Sequence, residues 1–265
     1  MTTIRKTSNP NEASSEWPLD RNRLNVFDSR GAMAEAAAVA IARRISDVIK
    51  AKSMCRMIFA AAPSQSELIA ALVEMPDIPW AKVTAFHMDD YLGLPADAPQ
   101  RFSNWLDRHL FSKVDLGGIH RIRVNGEAED ICDDYSSLLA EAPIDIVCLG
   151  IGVNGHIAFN DPPIADFNDP AAVRVVELDA ICRQQQVDDE CFSDIADVPT
   201  HAVTLTIPRL LAADALYCVV PGSRKRNAVK AALEGPVSTA CPASILRTHP
   251  DLTFFLDTEA NPDGR

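Results

Sequence analysis

The sequence predicts an α/β protein with a single doubly wound, mainly parallel sheet covered by helices on both faces. Three observations predict it. Near-continuous apolar runs such as "CRMIFAAA", "IDIVCLGI" and "ALYCVVP" recur along the chain. Stretches with helical periodicity separate them, and strands that are apolar on both faces need cover on both faces. With 265 residues, 47% hydrophobic and 23% charged, the chain is long enough to bury one large core or two modest ones.

The elements follow in order. Residues 1–20 are polar, contain Pro10 and Pro18, and read as a loosely held tail, which leaves residues 21–265 as one α/β domain. "RLNVF" reads as a short strand. "SRGAMAEAAAVAIARRISDVIKAK" reads as a long helix with an apolar stripe through Ala34, Ala38, Ile41, Ile45 and Ile49. The alternation continues with strand "CRMIFAAA", helix "SQSELIAALVEM", strand "KVTAFHM", helix "RFSNWLDRHLFSKV", a helix around "DICDDYSSLLAEA" and strand "IDIVCLGI". Then come strands "VRVVEL", "HAVTLT" and "ALYCVVP", helix "SRKRNAVKAALEG" and a last strand "LTFFLD". All strands are assigned to the one sheet, in a modified Rossmann-like arrangement whose ligand lies beyond the carboxyl ends of the strands.

Charge and composition exclude several classes. A net charge of -12 repels nucleic acid and anionic membranes. The seven cysteines show no CxxC or Cys/His ligand spacing, which fits a reducing compartment and neither a disulfide framework nor a zinc site. No run approaches the roughly 20 apolar residues of a membrane span, and the first 20 residues lack an apolar signal core. The reading is a soluble cytoplasmic protein with no nucleic-acid or membrane partner; a homo-oligomer is compatible with it.

Polar clusters fall where strands end. "GIGVNGHIAFNDPP" contains Gly150-x-Gly152-x-x-Gly155 after an apolar run, the spacing of a dinucleotide loop. Pro162, Pro163 and Pro170 leave no room for the helix such a loop must open, so a nicotinamide site is not expected. The glycines instead bring backbone donors close to a small ligand, and Asn154, His156 and Asp161 lie within eight residues. Asp161 or Asn154 fixes the tautomer of His156. After "KVTAFHM" come Asp89 and Asp90, turn formers on the plain reading; at a shared ligand edge, one of them is a partly desolvated base. After "CRMIFAAA", Ser64 can cap the next helix with Glu67 completing a capping box, and the rival reading is that Ser64, Gln65 and Ser66 receive a phosphate. Arg224, Lys225 and Arg226 open the helix after "ALYCVVP", against its dipole, which a bound anion would explain. Proton abstraction beside a carbonyl of a sugar phosphate and hydrolysis of a phosphorylated sugar ester both fit this inventory.

"FHMDDYLGLPADAPQRFSNWL" with "IDIVCLGIGVNGHIAFNDPP" resembles the glucosamine-6-phosphate deaminase/isomerase family, whose superfamily includes 6-phosphogluconolactonases. The similarity runs from about residue 22 through "CRQQQVDD", "THAVTLTIP" and "ALEGPVSTACPASILRTHP" to the C-terminus, and "GHIAFNDP" is the deaminase form of the loop. The resemblance implies conversion of glucosamine 6-phosphate, a small-molecule amino sugar phosphate, to fructose 6-phosphate and ammonia, with no metal and no cofactor. By matching position it makes Asp89 the base between C2 and C1. His156 assists ring opening with Asp161 as acidic partner and Asn154 beside it. Ser64, Gln65, Ser66, Asp90, Gly152, Lys225 and, less directly, Arg183 fall to substrate binding. Three positions depart from the family pattern. Asn154 stands for an aspartate, Asp161 for a longer glutamate, and Ala61-Ala62-Pro63 for a glycine-rich loop. A lactonase, or a sugar-phosphate sensor weakened catalytically by Asn154, are the alternatives.

Overall fold

The structure, a computed structural model, describes residues 23–263; the tail expected over residues 1–20 lies outside them. In chain order the elements are β1 (Arg23–Phe27), α1 (Arg30–Lys52), β2 (Cys55–Phe59), α2 (Ser66–Val73), β3 (Val83–His87), β4 (Asp89–Tyr91), α3 (Phe102–Leu106) and β5 (Gly118–His120). They continue with α4 (Ala128–Ala140), β6 (Ile146–Leu149), β7 (Val173–Glu177), α5 (Ala180–Asp188), β8 (His201–Leu205), α6 (Ile207–Leu211), β9 (Ala215–Val220), α7 (Arg226–Glu234) and β10 (Leu252–Asp257).

Seven strands form a wholly parallel sheet in the order β1-β10-β9-β6-β2-β3-β5. Every residue of β6 is buried, as a strand covered on both faces requires. The expected stripe of α1 is buried, joined by Met33, Ala37 and Val48. Ser29 caps this helix by accepting from the Ala32 amide at 3.2 Å. Ser53 ends it in the left-handed region at φ 69, its amide donating to the Ile49 carbonyl at 2.8 Å. Two apolar cores result, one containing Ile41, Met57 and Leu72, the other Ile58, Val147 and Val229.

Two expectations are corrected here. The strands at "VRVVEL" and "HAVTLT" do not join the main sheet; β7 and β8 pair antiparallel with β4 in a second, three-stranded sheet. Partly exposed Arg174 and Val175 and exposed Glu177 show that β7 lacks the full cover of the main-sheet strands, as an antiparallel sheet allows. The capping box at Ser64 and Glu67 does not form either. Pro63–Gln65 make a 3-10 turn running directly into α2, so Ser64 lies inside the helical path and the extended cap position falls to Ala62. Glu67 instead pairs with Arg30 at 2.7 Å.

Candidate active site

The sheet order decides which loops meet. From β2 the chain steps outward to β3, whereas from β6 it steps the other way to β9, so a crevice opens at the carboxyl ends of β2 and β6. The four neighbouring strands β9, β6, β2 and β3 deliver Gly222–Lys225, Gly150–Asp161, Pro63–Ser66 and Met88–Asp89 to that edge. Gln65 lies across the crevice floor, its Nε2 donating to the Val219 carbonyl at 3.1 Å. A Cβ at Gly150 would come within 2.9 Å of that nitrogen, so the glycine admits the amide.

No helix follows β6 before β7 among the described residues, as the prolines required. The chain folds back on itself instead. The Gly152 amide donates to the His156 carbonyl at 2.9 Å, and the Gly155 amide to the Gly152 carbonyl at 3.0 Å. This turn lays the imidazole of His156 directly over the Cα of Gly152, where a Cβ would meet ring atoms at 2.2 Å. Gly152 therefore serves the histidine more than the ligand. Nδ1 of His156 lies 2.9 Å from Oδ1 of Asp161, a contact off the ideal hydrogen-bond direction. Asn154 donates from Nδ2 to the same oxygen at 2.9 Å and accepts the His156 amide at 3.1 Å. Burial pushes the Asp161 carboxyl up, but His156, then Asn154 and the Cys182 thiol, outweigh it and leave it below the usual carboxylate range. An ionised Asp161 at Nδ1 keeps the ring proton there, which leaves the lone pair on Nε2.

Asp89 opens β4, opposite Thr204 of β8, and is 5% exposed. Its carboxylate accepts no hydrogen bond among the described residues. Burial, and then the charge of Asp90, push it well above the usual carboxylate range. The two sites are tied together: Thr204 Oγ1 accepts the Phe159 amide at 3.0 Å, and Asn160 Nδ2 donates to the Leu205 carbonyl at 2.9 Å.

Asp90 is a correction. It is fully buried and faces away from the crevice, with Oδ1 accepting the amides of Tyr91 and Phe102 and Oδ2 taking the Ser103 hydroxyl at 2.7 Å, the Ser103 amide and Arg101 at 3.3 Å. It anchors the start of α3 and leaves no acceptor for a substrate. The basic cluster is corrected as well. Arg224 is engaged by Asp188 and Asp189, and Arg226 donates to the Glu259 carbonyl at 2.8 Å. Of the three cations only Lys225 remains; it is 6% exposed, and burial, outweighing the pull of Asp189, brings it down to about 8. The 3-10 turn that carries Lys225 and the one at Pro63–Gln65 both lack a capping side chain. Arg183 is pinned by the carbonyls of Ile195 at 2.6 Å and Val198 at 2.9 Å, so its guanidinium is committed to the 195–198 turn.

Two features escaped the sequence reading. His87 is fully buried, donating from Nδ1 to the carbonyl of Asp89 at 2.9 Å and accepting the Ile122 amide on Nε2 at 2.8 Å. Burial holds this ring below its ordinary value, and neutral it fixes the backbone of Asp89. The other is α5, which roofs the site. Its Gln185 accepts the Val153 amide at 2.9 Å and donates to Asp189 at 3.2 Å; Asp189 in turn meets Arg224, so the histidine loop and the Lys225 turn share one chain of contacts. The signal for α5 was Asp179, whose side chain accepts the Ile181 amide as an N-cap.

Residues 28–254 match the family described as glucosamine-6-phosphate isomerases/6-phosphogluconolactonase. The chain belongs to this family. Among curated relatives, the glucosamine-6-phosphate deaminase of Listeria innocua is 37% identical over 200 residues, covering 74% of this chain and 82% of that one. That of Bacillus thuringiensis is 37% identical over 183 residues, 68% of this chain and 67% of the relative. A solved monomeric glucosamine-6-phosphate deaminase superposes with a TM-score of 0.82 at 28% identity, over 90% of this chain and 98% of its own. A 6-phosphogluconolactonase from Shewanella baltica gives a TM-score of 0.73 at 19% identity, over 90% and 99%, a likeness of fold. This glucosamine-6-phosphate isomerase/6-phosphogluconolactonase fold thus carries an Asp89 carboxylate and a His156–Asp161 pair at one crevice.

Proposed function

We propose that this chain is a glucosamine-6-phosphate deaminase, converting glucosamine 6-phosphate to fructose 6-phosphate with release of ammonia. The observation that carries the reading is Asp89, a desolvated carboxylate free of hydrogen bonds, stationed on the same crevice edge as a histidine with a carboxylate at Nδ1. The deaminase names of the relatives at 37% identity support the same chemistry.

The phosphate seats between the uncapped turns at Ser64–Ser66 and at Lys225, whose ammonium has no other partner among the described residues. That remote grip holds the sugar for the chemistry at C1 and C2. Nε2 of His156 takes the anomeric hydroxyl proton and hands it to the ring oxygen as the C1–O5 bond breaks, and Asp161 stabilises the transient imidazolium. Asn154 holds that carboxylate anionic, so an amide suffices at this position. Asp89 then removes the C2 proton of the open aldehyde and returns it to C1. The resulting C2 imine takes up water and releases ammonia. A carboxylate raised above its usual range is suited to hold the proton between these two steps. His87 positions Asp89 through the main chain.

All seven cysteines are free, which supports a reducing, cytoplasmic setting; no helix among the described residues is long and apolar enough to cross a membrane. The test is direct: the purified protein, with no added metal or cofactor, is given glucosamine 6-phosphate and, separately, 6-phosphogluconolactone. Ammonia and fructose 6-phosphate in equal amounts are expected from the first; lactone hydrolysis without ammonia release would overturn the reading.

A further inference from the structure

The reaction leaves one buried group of the site unused, the thiol of Cys182 on α5. Its Sγ, a nitrogen of His156 and a carboxylate oxygen of Asp161 all lie within 4.8 Å of one another, and all three residues are buried. Neither Nδ1 of His156 nor Oδ2 of Asp161 has a well-aligned hydrogen bond: Nδ1 meets Asp161 at 2.9 Å off the ideal direction, and the Cys182 thiol is the donor that α5 turns to that carboxylate. Such atoms are costly to bury unless something completes them. We propose that His156, Asp161 and Cys182 form an inhibitory binding site for a soft divalent cation, Zn2+ above all.

The donor set selects the ion. Imidazole, carboxylate and thiolate suit zinc, whereas Mg2+ and Ca2+ seek oxygen ligands. Bond lengths of about 2.0–2.3 Å place tetrahedral ligand atoms roughly 3.3–3.6 Å apart, so the trio needs adjustments of about 1 Å to close on the ion. Charge balances too. The thiol proton leaves to solvent as the sulfur–zinc bond forms, and thiolate plus the Asp161 carboxylate offset the two charges of the ion, which gives a neutral complex in a buried place.

The consequence for activity follows from the tautomer. With Nδ1 bound to the ion, the ring proton must sit on Nε2, and the lone pair that opens the sugar ring is gone. Occupation therefore stops turnover. This last step rests on the proposed role of His156; binding of the ion does not.

The test uses full-length protein treated with EDTA and then titrated with ZnCl2 while ammonia release is followed. Wild type loses activity at low micromolar free zinc and regains it with EDTA, and MgCl2 has no effect. Measured against its own zinc-free rate, Cys182→Ala needs at least tenfold more zinc for half-inhibition, while Cys191→Ala and Cys241→Ala match wild type. Zinc inhibition of equal strength in wild type and Cys182→Ala overturns the proposal. A second reading stands apart from catalysis: Co2+ added to wild type produces a thiolate-to-cobalt charge-transfer band that Cys182→Ser lacks. A Co2+ adduct without that band, or with it intact in Cys182→Ser, also overturns the proposal. Should cobalt show the band while zinc leaves activity untouched, the site stands and the role of His156 in ring opening fails.

Discussion

Replacing Gly152 with alanine disables the enzyme without unfolding it, because the atoms nearest the new methyl group all belong to the histidine ring. An alanine Cβ there lies 2.2 Å from Cε1 and Nε2 of His156 and 2.4 Å from Cδ2. Carbon atoms in contact sit about 3.5 Å apart, so the ring must retreat by about 1 Å. The backbone is held by the Gly152 amide to the His156 carbonyl at 2.9 Å, so the side chain yields. A misplacement of about 1 Å in a reacting group costs on the order of 100-fold in rate, or about 2.7 kcal/mol. The assay is kcat/KM for ammonia release, with thermal unfolding as the check on the fold. Gly31→Ala is the control: no atom lies within 4 Å of its added Cβ, and alanine favours the helix by roughly 0.5–1 kcal/mol. A Gly152→Ala protein within threefold of wild type would refute the placement of His156 in the chemistry.

Other expectations follow from the same geometry. Asp89→Asn abolishes turnover yet raises the thermal midpoint at pH 7. Its folded carboxyl is raised above the unfolded one, so the folded state loses stability as pH rises through that window; the amide removes the loss, and the gap between variant and wild type closes near pH 3–4. Calorimetry at the two pH values checks the sign. Lys225 titrates at about 8, so KM rises as pH climbs past that value while Lys225→Arg, which stays charged, holds KM flat to pH 9. Lys225→Met raises KM at pH 7 by roughly 10- to 100-fold, the worth of one charge-assisted contact, with kcat less affected. Gln185→Leu strands the Val153 amide and cuts kcat by about tenfold, a change read in steady-state kinetics against unchanged secondary structure by circular dichroism.

Most of the main sheet was legible because burial on both faces writes itself into the sequence as apolar runs, as in β2, β6 and β9, whereas the half-buried edge strand β5 at Gly118–His120 carries no such run and was not read. The three-stranded sheet was not, since Asp89 finds its partner Thr204 more than a hundred positions away. The same distance explains the polar corrections. Asp90 reads as half of a catalytic-looking pair, and only the fold brings the Phe102 and Ser103 amides onto it. Arg224 reads as a free cation until α5 delivers Asp188. His156 with Asp161 and Asn154 was legible because all three share one short loop, where local spacing decides contact.

The central claim is that Asp89 carries a proton between neighbouring carbons of the open sugar. Turnover of glucosamine 6-phosphate deuterated at C2, in ordinary water, followed by NMR of the fructose 6-phosphate, tests it most directly. The account predicts deuterium at one of the two C1 positions with wild type and no product with Asp89→Asn. Product formed by Asp89→Asn at the wild-type rate, or deuterium spread equally over both C1 positions, would contradict it.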